Sequence, residues 1–307
     1  MKLNTKTVLA VVALSVAGMS GVADAEELVG LTNRQQIVRF DSGAPGTFLS
    51  ASAITGLVGA NERIVGIDFR PANAQIYGVS SEDRVYIIDR LTGVATAVSA
   101  TPLAVPYFAG GEVDIDFNPL VDRTRYVSGS FNARINQLTG FAVDGNAGLA
   151  GIQSDTALNY VAGDANFGVV PNAGGTAYTN PDVNPATGTR QYTIDSSLAI
   201  LSEQTNFNGG LLSSIGALNL GRPLGANYGF DISESGVAYL GFNELPIGAQ
   251  FINYLYSVNL ATGQSTLLSS SIPATSGGLV DVAAIPEPTA LSLLVAAGLV
   301  VGRRRSR

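Results

Sequence analysis

The chain has 307 residues, 24 acidic against 17 basic, for a formal charge of −7, and it contains no Cys, His or Trp. Without Cys or His there is no thiol or imidazole to act as nucleophile or base, no Ser-His-Asp triad and no zinc site of the usual ligands. Lys2 and Lys6 are the only lysines, so an acidic chain this poor in cations is expected to have no nucleic-acid partner, because phosphate neutralisation dominates that affinity.

At the N-terminus, Lys2 and Lys6 precede an apolar run over residues 8–17, and Ala23-Asp24-Ala25 fits a small-residue cleavage site. A signal peptide over residues 1–25 is expected, removed by signal peptidase after Ala25. From Glu26 to Ile285 the chain carries 11 Arg against 22 acidic residues, a formal −11. An exported domain without disulfides must rely on its core.

Residues 26–284 read as one β domain, with apolar residues alternating in short runs between Gly, Asn, Asp and Pro clusters. Three strands are expected first, at 28–31, 36–40 and 47–49. A four-strand unit follows at 64–71, 75–79, 84–89 and 94–98, and it recurs at 113–119, 125–127, 133–136 and 141–143. The spacing supports the repeat: Asp68 and Asp116 lie 48 residues apart, and Thr92 and Thr139 lie 47 apart. A third unit is assigned to 164–170, 176–179, 190–195 and 198–201, with 180–189 as an inserted hairpin tip. The fourth takes 228–232, 237–240, 254–258 and 265–268, and a last strand takes 278–282. The three N-terminal strands and this last one complete a sheet from both chain ends. The expected fold is therefore all-β: a β-propeller, of five four-stranded blades closed by pairing of the N- and C-terminal strands, which removes free sheet edges. A β-sandwich or an open β array is the alternative.

One Asp recurs at matching places in the units: Asp68, Asp116, Asp164, Asp231 and Asp281. Period-2 geometry puts Val65, Ile67 and Phe69 on one strand face and Asp68 on the other, and likewise separates Asp116 from Ile115 and Phe117. On innermost strands these carboxylates would ring the axis and could ligate calcium through oxygen. The alternative is that each caps the turn ahead of Pro71 or Pro119 by bonding backbone N–H groups. Asp114 shares the face of Asp116, with Glu112 above them; Arg125 and Arg134 are the expected ion-pair partners. Tyr77, Tyr126, Tyr178 and Tyr239 are placed in the second strand of each unit, as inter-blade packing or, alternatively, for stacking on carbohydrate. Thr92-Gly93, Thr139-Gly140 and Thr262-Gly263 read as hairpin turns.

The C-terminus places Pro286-Glu287-Pro288 before an uncharged run over 289–301 and the basic cluster Arg303-Arg304-Arg305. Thirteen residues are few for a permanent anchor, which needs about twenty. The order resembles the PEP-CTERM sorting signal, here residues 285–307. That resemblance implies recognition and cutting by an exosortase, transient membrane anchoring through a C-terminal helix, and delivery to the bacterial cell envelope, surface or extracellular matrix. Residues 65–71, 162–166, 177–180 and 228–232 resemble the family of bacterial proteins called domain of unknown function 4394, which implies a propeller-like secreted or surface protein without an assigned activity. The function expected is a non-enzymatic, exported binding or structural component, with exopolysaccharide or envelope proteins as partners and no cofactor. The alternative is a calcium-dependent hydrolase or lyase acting on a lactone or carbohydrate.

Overall fold

The computed structural model describes residues 25–103, 111–225, 227–245 and 250–286. Residues 1–24, where a signal peptide is expected, Ala23 among them, and the tail from Glu287 onward, with Pro288, Arg303, Arg304 and Arg305, lie outside the described residues. Among the described residues no helix is long and apolar enough to cross a membrane.

The chain opens with β1 (Glu27–Thr32), β2 (Gln36–Asp41) and β3 (Phe48–Ala53). Next come β4 (Ile64–Arg70), β5 (Gln75–Ser80), β6 (Val85–Ile88) and β7 (Ala95–Ala97), then β8 (Asp114–Asn118), β9 (Arg123–Ser128), β10 (Phe131–Asn136) and β11 (Phe141–Ala142). The fourth group is β12 (Asn159–Tyr160), β13 (Ala173–Tyr178), β14 (Gln191–Asp195), β15 (Ile200–Asn206) and β16 (Leu211–Ala217). The last is β17 (Tyr228–Ile232), β18 (Ala238–Glu244), β19 (Ile252–Val258), β20 (Ser265–Ile272) and β21 (Leu279–Ile285).

These strands form five sheets, β21-β1-β2-β3, β4-β5-β6-β7, β8-β9-β10-β11, β13-β14-β15-β16-β12 and β17-β18-β19-β20, here called the first to fifth blades. Their leading strands β4, β8, β13, β17 and β21 pack side by side in a closed ring around the axis. The protein is an all-β, five-bladed propeller. Within the first blade, β1 pairs antiparallel with β21 from Glu27 opposite Ile285 to Thr32 opposite Leu279. The chain ends therefore share one sheet.

Position within a blade explains the sequence pattern. The ring strands β8 and β17 are buried at every residue, because neighbouring blades cover both faces, as in other doubly covered strands. The outer strand β3 alternates half-buried and exposed residues, the period expected where one face meets water. The Thr-Gly hairpins hold as expected: Gly93, Gly140 and Gly263 take positive φ, between 69° and 79°, and Asp89, Asn136 and Asn259 accept N–H bonds across the same turns.

Three boundaries differ from the sequence expectation. Residues 164–170 form turns and not a strand; the ring strand of the fourth blade is β13, and its outer strands are β16 and the parallel addition β12. Tyr178 consequently lies on a first strand, unlike Tyr77, Tyr126 and Tyr239 on second strands. The closing strand runs past the expected end at 282 to Ile285, so residues 283–285 are buried and paired with β1.

Apolar packing is divided among the gaps between blades. The fourth–fifth gap holds fifteen buried residues, including Phe230, Phe242, Tyr254 and Tyr256. The gaps between first and second, second and third, and fifth and first blades have clusters of their own. The third–fourth gap has the smallest, Val127, Leu158, Tyr160, Ala173 and Leu212.

Candidate functional site at the propeller axis

Four of the five expected aspartates meet at the axis. Asp68 on β4, Asp116 on β8, Asp231 on β17 and Asp281 on β21 are all buried, and Asp114 on β8 joins them. Asp164 does not: it sits in a turn, where its carboxylate accepts from the Asn166 and Ser214 N–H groups and the Ser214 hydroxyl. The fourth blade brings β13, which has no acidic residue, to the same level.

The carboxylates tie one blade to the next. Asp68 accepts from the N–H of Phe69 beside it (2.6 Å) and of Phe117 on β8 (2.8 Å). Asp114 accepts from Ile115 (2.8 Å), from Thr176 on β13 (2.8 Å) and from Phe230 on β17 (3.3 Å). Asp231 accepts from Ile232 and from Ala284 on β21, both at 2.6 Å. Asp281 accepts from Val282 and from Ile67 on β4, both at 2.7 Å, and closes the ring. Each tie satisfies N–H groups that the end of a sheet would otherwise leave without a partner. Close approach is part of the device. A Cβ on Gly229 of β17 would overlap Asp281 Oδ1.

This corrects two expectations. Neither Asp68 nor Asp116 caps a turn; Asn118 does so, accepting from Leu120 N–H. Arg125 and Arg134 do not reach the axial acids, because both bind Asp155 instead.

No guanidinium pairs with the axial group among the described residues, and charge has to be relieved otherwise. Burial, then the charge of Asp231 beside it, pushes the Asp68 carboxyl well above its usual value. Burial followed by the neighbouring acids does the same for Asp114 and Asp116. Burial likewise raises Asp281, against the pull of the Ile67 and Val282 N–H groups. Asp231 is raised to about 6 by burial, restrained by the N–H groups of Ala284 and Ile232 and by a hydrogen bond with Asp116. A hydrogen bond between two carboxyls needs a proton on one of them, and like charges this close cannot both ionise freely. The cluster thus favours shared protons over full ionisation.

A cation is the other way to relieve the charge. Asp68, Asp116 and Asp231 each offer an oxygen, all within 4.8 Å of one another. Calcium takes six to eight oxygens, and here Asp68 and Asp231 already use both of theirs on backbone N–H groups. The donor set fits shared protons better than calcium. One mouth of the axis opens into a small cavity of about 170 Å³ lined by Glu112, Tyr228, Arg63 and Gln35. Burial raises the Glu112 carboxyl there, while the Ser196 hydroxyl donates to it at 2.6 Å.

Sequence reasoning missed Asp155, which lies in an irregular stretch with no period to mark it. It also took Asp114 for an ion-pair residue and not for the ring member that ties three strands.

Residues 36–283 match the sequence profile described as "Domain of unknown function (DUF4394)". Among curated proteins none matches. Two similar solved structures come from Bacteroides thetaiotaomicron VPI-5482: a structural genomics protein of unknown function, 13% identical with a TM-score of 0.44, and an auxiliary nutrient binding protein, 15% identical with a TM-score of 0.38. Each match covers 70% of this chain and 53% of the other, so the chain spans about half the length of those structures.

Proposed function

The chain belongs to the DUF4394 family, and on that premise we propose that it is an exported, non-enzymatic propeller serving as a binding or structural component of the bacterial cell envelope or exopolysaccharide matrix. The observation that carries the reading is the use made of the axial acids. Their oxygens are engaged with backbone N–H groups on neighbouring blades, and the hydrogen-bonded carboxyls of Asp231 and Asp116 are buried. A general acid or base must reach substrate, and these groups hold the fold.

Export is supported by the two ends of the chain. Cleavage after Ala25 would leave Glu26 first, with its N–H on Ser42 Oγ (2.9 Å) and its carboxylate receiving Tyr239 OH (2.6 Å). Cutting at Pro286-Glu287-Pro288 would leave β21 whole, since that strand ends at Ile285. Signal peptidase and an exosortase are the processing partners in this reading. The test is to express the full chain in a host with an exosortase, fractionate the cells and weigh the product. A species beginning at Glu26, lacking the Arg-rich tail and found in the envelope or matrix fraction is expected. An unprocessed cytoplasmic chain would remove the proposal.

A second reading, a calcium-dependent hydrolase or lyase, is favoured by the spacing of Asp68, Asp116 and Asp231. Calcium bound to the native state would raise the melting temperature, by an amount that grows with the logarithm of its excess over Kd. No shift at millimolar calcium is expected. A clear shift abolished by Asp116→Asn would turn the conclusion to this reading.

A further inference from the structure

The third–fourth gap has the least apolar packing, and polar groups take its place. Arg125, 2% exposed, donates to Asp155 (2.6 Å), Asn132 (2.9 Å), Asn208 (2.9 Å) and Tyr178 OH (3.3 Å). Arg134 grips both oxygens of the same Asp155 at 2.8 Å. Outside this network the blades part into a cleft of about 710 Å³ that Arg123, Arg134, Tyr178, Phe207 and Asn206 help to line.

Charge marks the cleft out. Three guanidiniums line it, Arg123, Arg125 and Arg134, and Arg125 and Arg134 share one carboxylate, Asp155. Arg123 donates to the Asp122 carbonyl oxygen (2.8 Å) and forms no ion pair among the described residues; the Asp122 carboxylate is held by Arg70 of the second blade. The cleft is thus a positive spot on a domain of formal charge −11. The wall opposite is rigid. Phe207 offers its carbonyl oxygen to the buried side chains of Asn132 (3.0 Å) and Gln204 (2.6 Å), and its ring stands edge-on to Tyr178 at 5.3 Å. Such preorganisation lowers the ordering cost of binding.

Resting on the envelope and matrix reading above, we propose that this cleft binds a carboxylated saccharide, a hexuronate unit of an extracellular polysaccharide. The volume suits one or two sugar rings. Arg123 supplies a planar fork for one carboxylate, Asn206 and Thr205 meet ring hydroxyls, and Phe207 gives an apolar surface for the C–H face. A single guanidinium of the cleft left without an ion pair, on an acidic domain, selects a sparse anion and rejects a dense polyanion such as nucleic acid.

The test is calorimetric titration of the purified full chain with a trigalacturonate and with its methyl ester, which keeps the skeleton and removes the charge. The acid should bind with a Kd of about 1 mM or tighter, and both the ester and Arg123→Ala should weaken binding by about tenfold or more. Phe207→Ala should weaken acid and ester alike. No heat with the acid, equal affinity for the ester, or an unchanged Kd in Arg123→Ala would overturn the proposal. Fractionation separates the two ideas. If wild type and Arg123→Ala both stay in the matrix fraction and neither binds the uronate, the cleft falls and the envelope reading stands; a cytoplasmic wild type removes the envelope reading whatever the calorimeter shows.

Discussion

The gap between the fourth and fifth blades and the gap between the third and fourth solve one problem in opposite ways. Both must hold adjacent sheets together without a disulfide. The first does so with an apolar core, in which Phe242, Tyr254 and Tyr256 of the fifth blade, Phe242 parallel to Tyr256 at 5.7 Å and tilted to Tyr254 at 5.3 Å, pack with Tyr192, Ile194 and Leu201 of the fourth. The second does so with Arg125, Arg134 and Asp155, and the blades stand open outside that network. Apolar packing carries no chemical information beyond shape. Buried polar networks cost desolvation, and where a chain keeps one in place of a core, recognition is the usual return.

Four substitutions break or sharpen the contrast, each read by chemical denaturation. Phe242→Ala in the aromatic gap should lose about 4 kcal/mol, as for other fully buried Phe; a loss below about 1 kcal/mol would deny that gap its role as core. Asp155→Ala should cost about 3 kcal/mol by leaving a buried guanidinium without its carboxylate, at the lower end because Asn132 and Asn208 remain. Asp114→Ala should cost about 2 kcal/mol, three N–H groups losing their acceptor while a buried acid is removed. Arg123→Ala, two residues from Arg125, should change stability by no more than about 0.5 kcal/mol. A large loss there would make Arg123 part of the network and not a group held ready for a ligand.

Much of the ring was legible in sequence. The Gly-Ile-Asp-Phe type of strand in the second, third and fifth blades carries a strong period, and the strand near residue 281 copies it, so Asp68, Asp116, Asp231 and Asp281 fell into place. The fourth blade hid. Its ring strand reads Ala-Gly-Gly-Thr-Ala-Tyr, poor in the branched residues that mark strands, while Asp164-Ala165-Asn166 imitated the missing motif. Glycine is needed in β13 because a Cβ on Gly175 would sit 2.9 Å from Tyr228 Cε2, a constraint imposed by a residue 53 positions away. The polar gap was illegible for another reason. Arg-Thr-Arg-Tyr on β9 alternates as a solvent-facing strand would, and burial of Arg125 depends on Asp155, whose own segment has no regular pattern.

The most direct test of the axis as a proton-holding tie is stability against pH between about 5 and 8, with a chelator present, for the wild type and Asp116→Asn. The axial carboxyls bind protons more tightly folded than unfolded. Their contribution is therefore full below the ordinary 3.8 and is lost as pH rises through the folded values, about 6 for Asp231. Glu27 and Glu62 have the opposite sign, both being lowered from 4.5, and act below this window. The wild type should lose stability as pH rises, and Asp116→Asn should flatten the slope and melt about 2–4 °C higher at pH 8. A wild type whose stability is level or rises over that range, or an Asp116→Asn variant that melts lower at pH 8, would contradict the account.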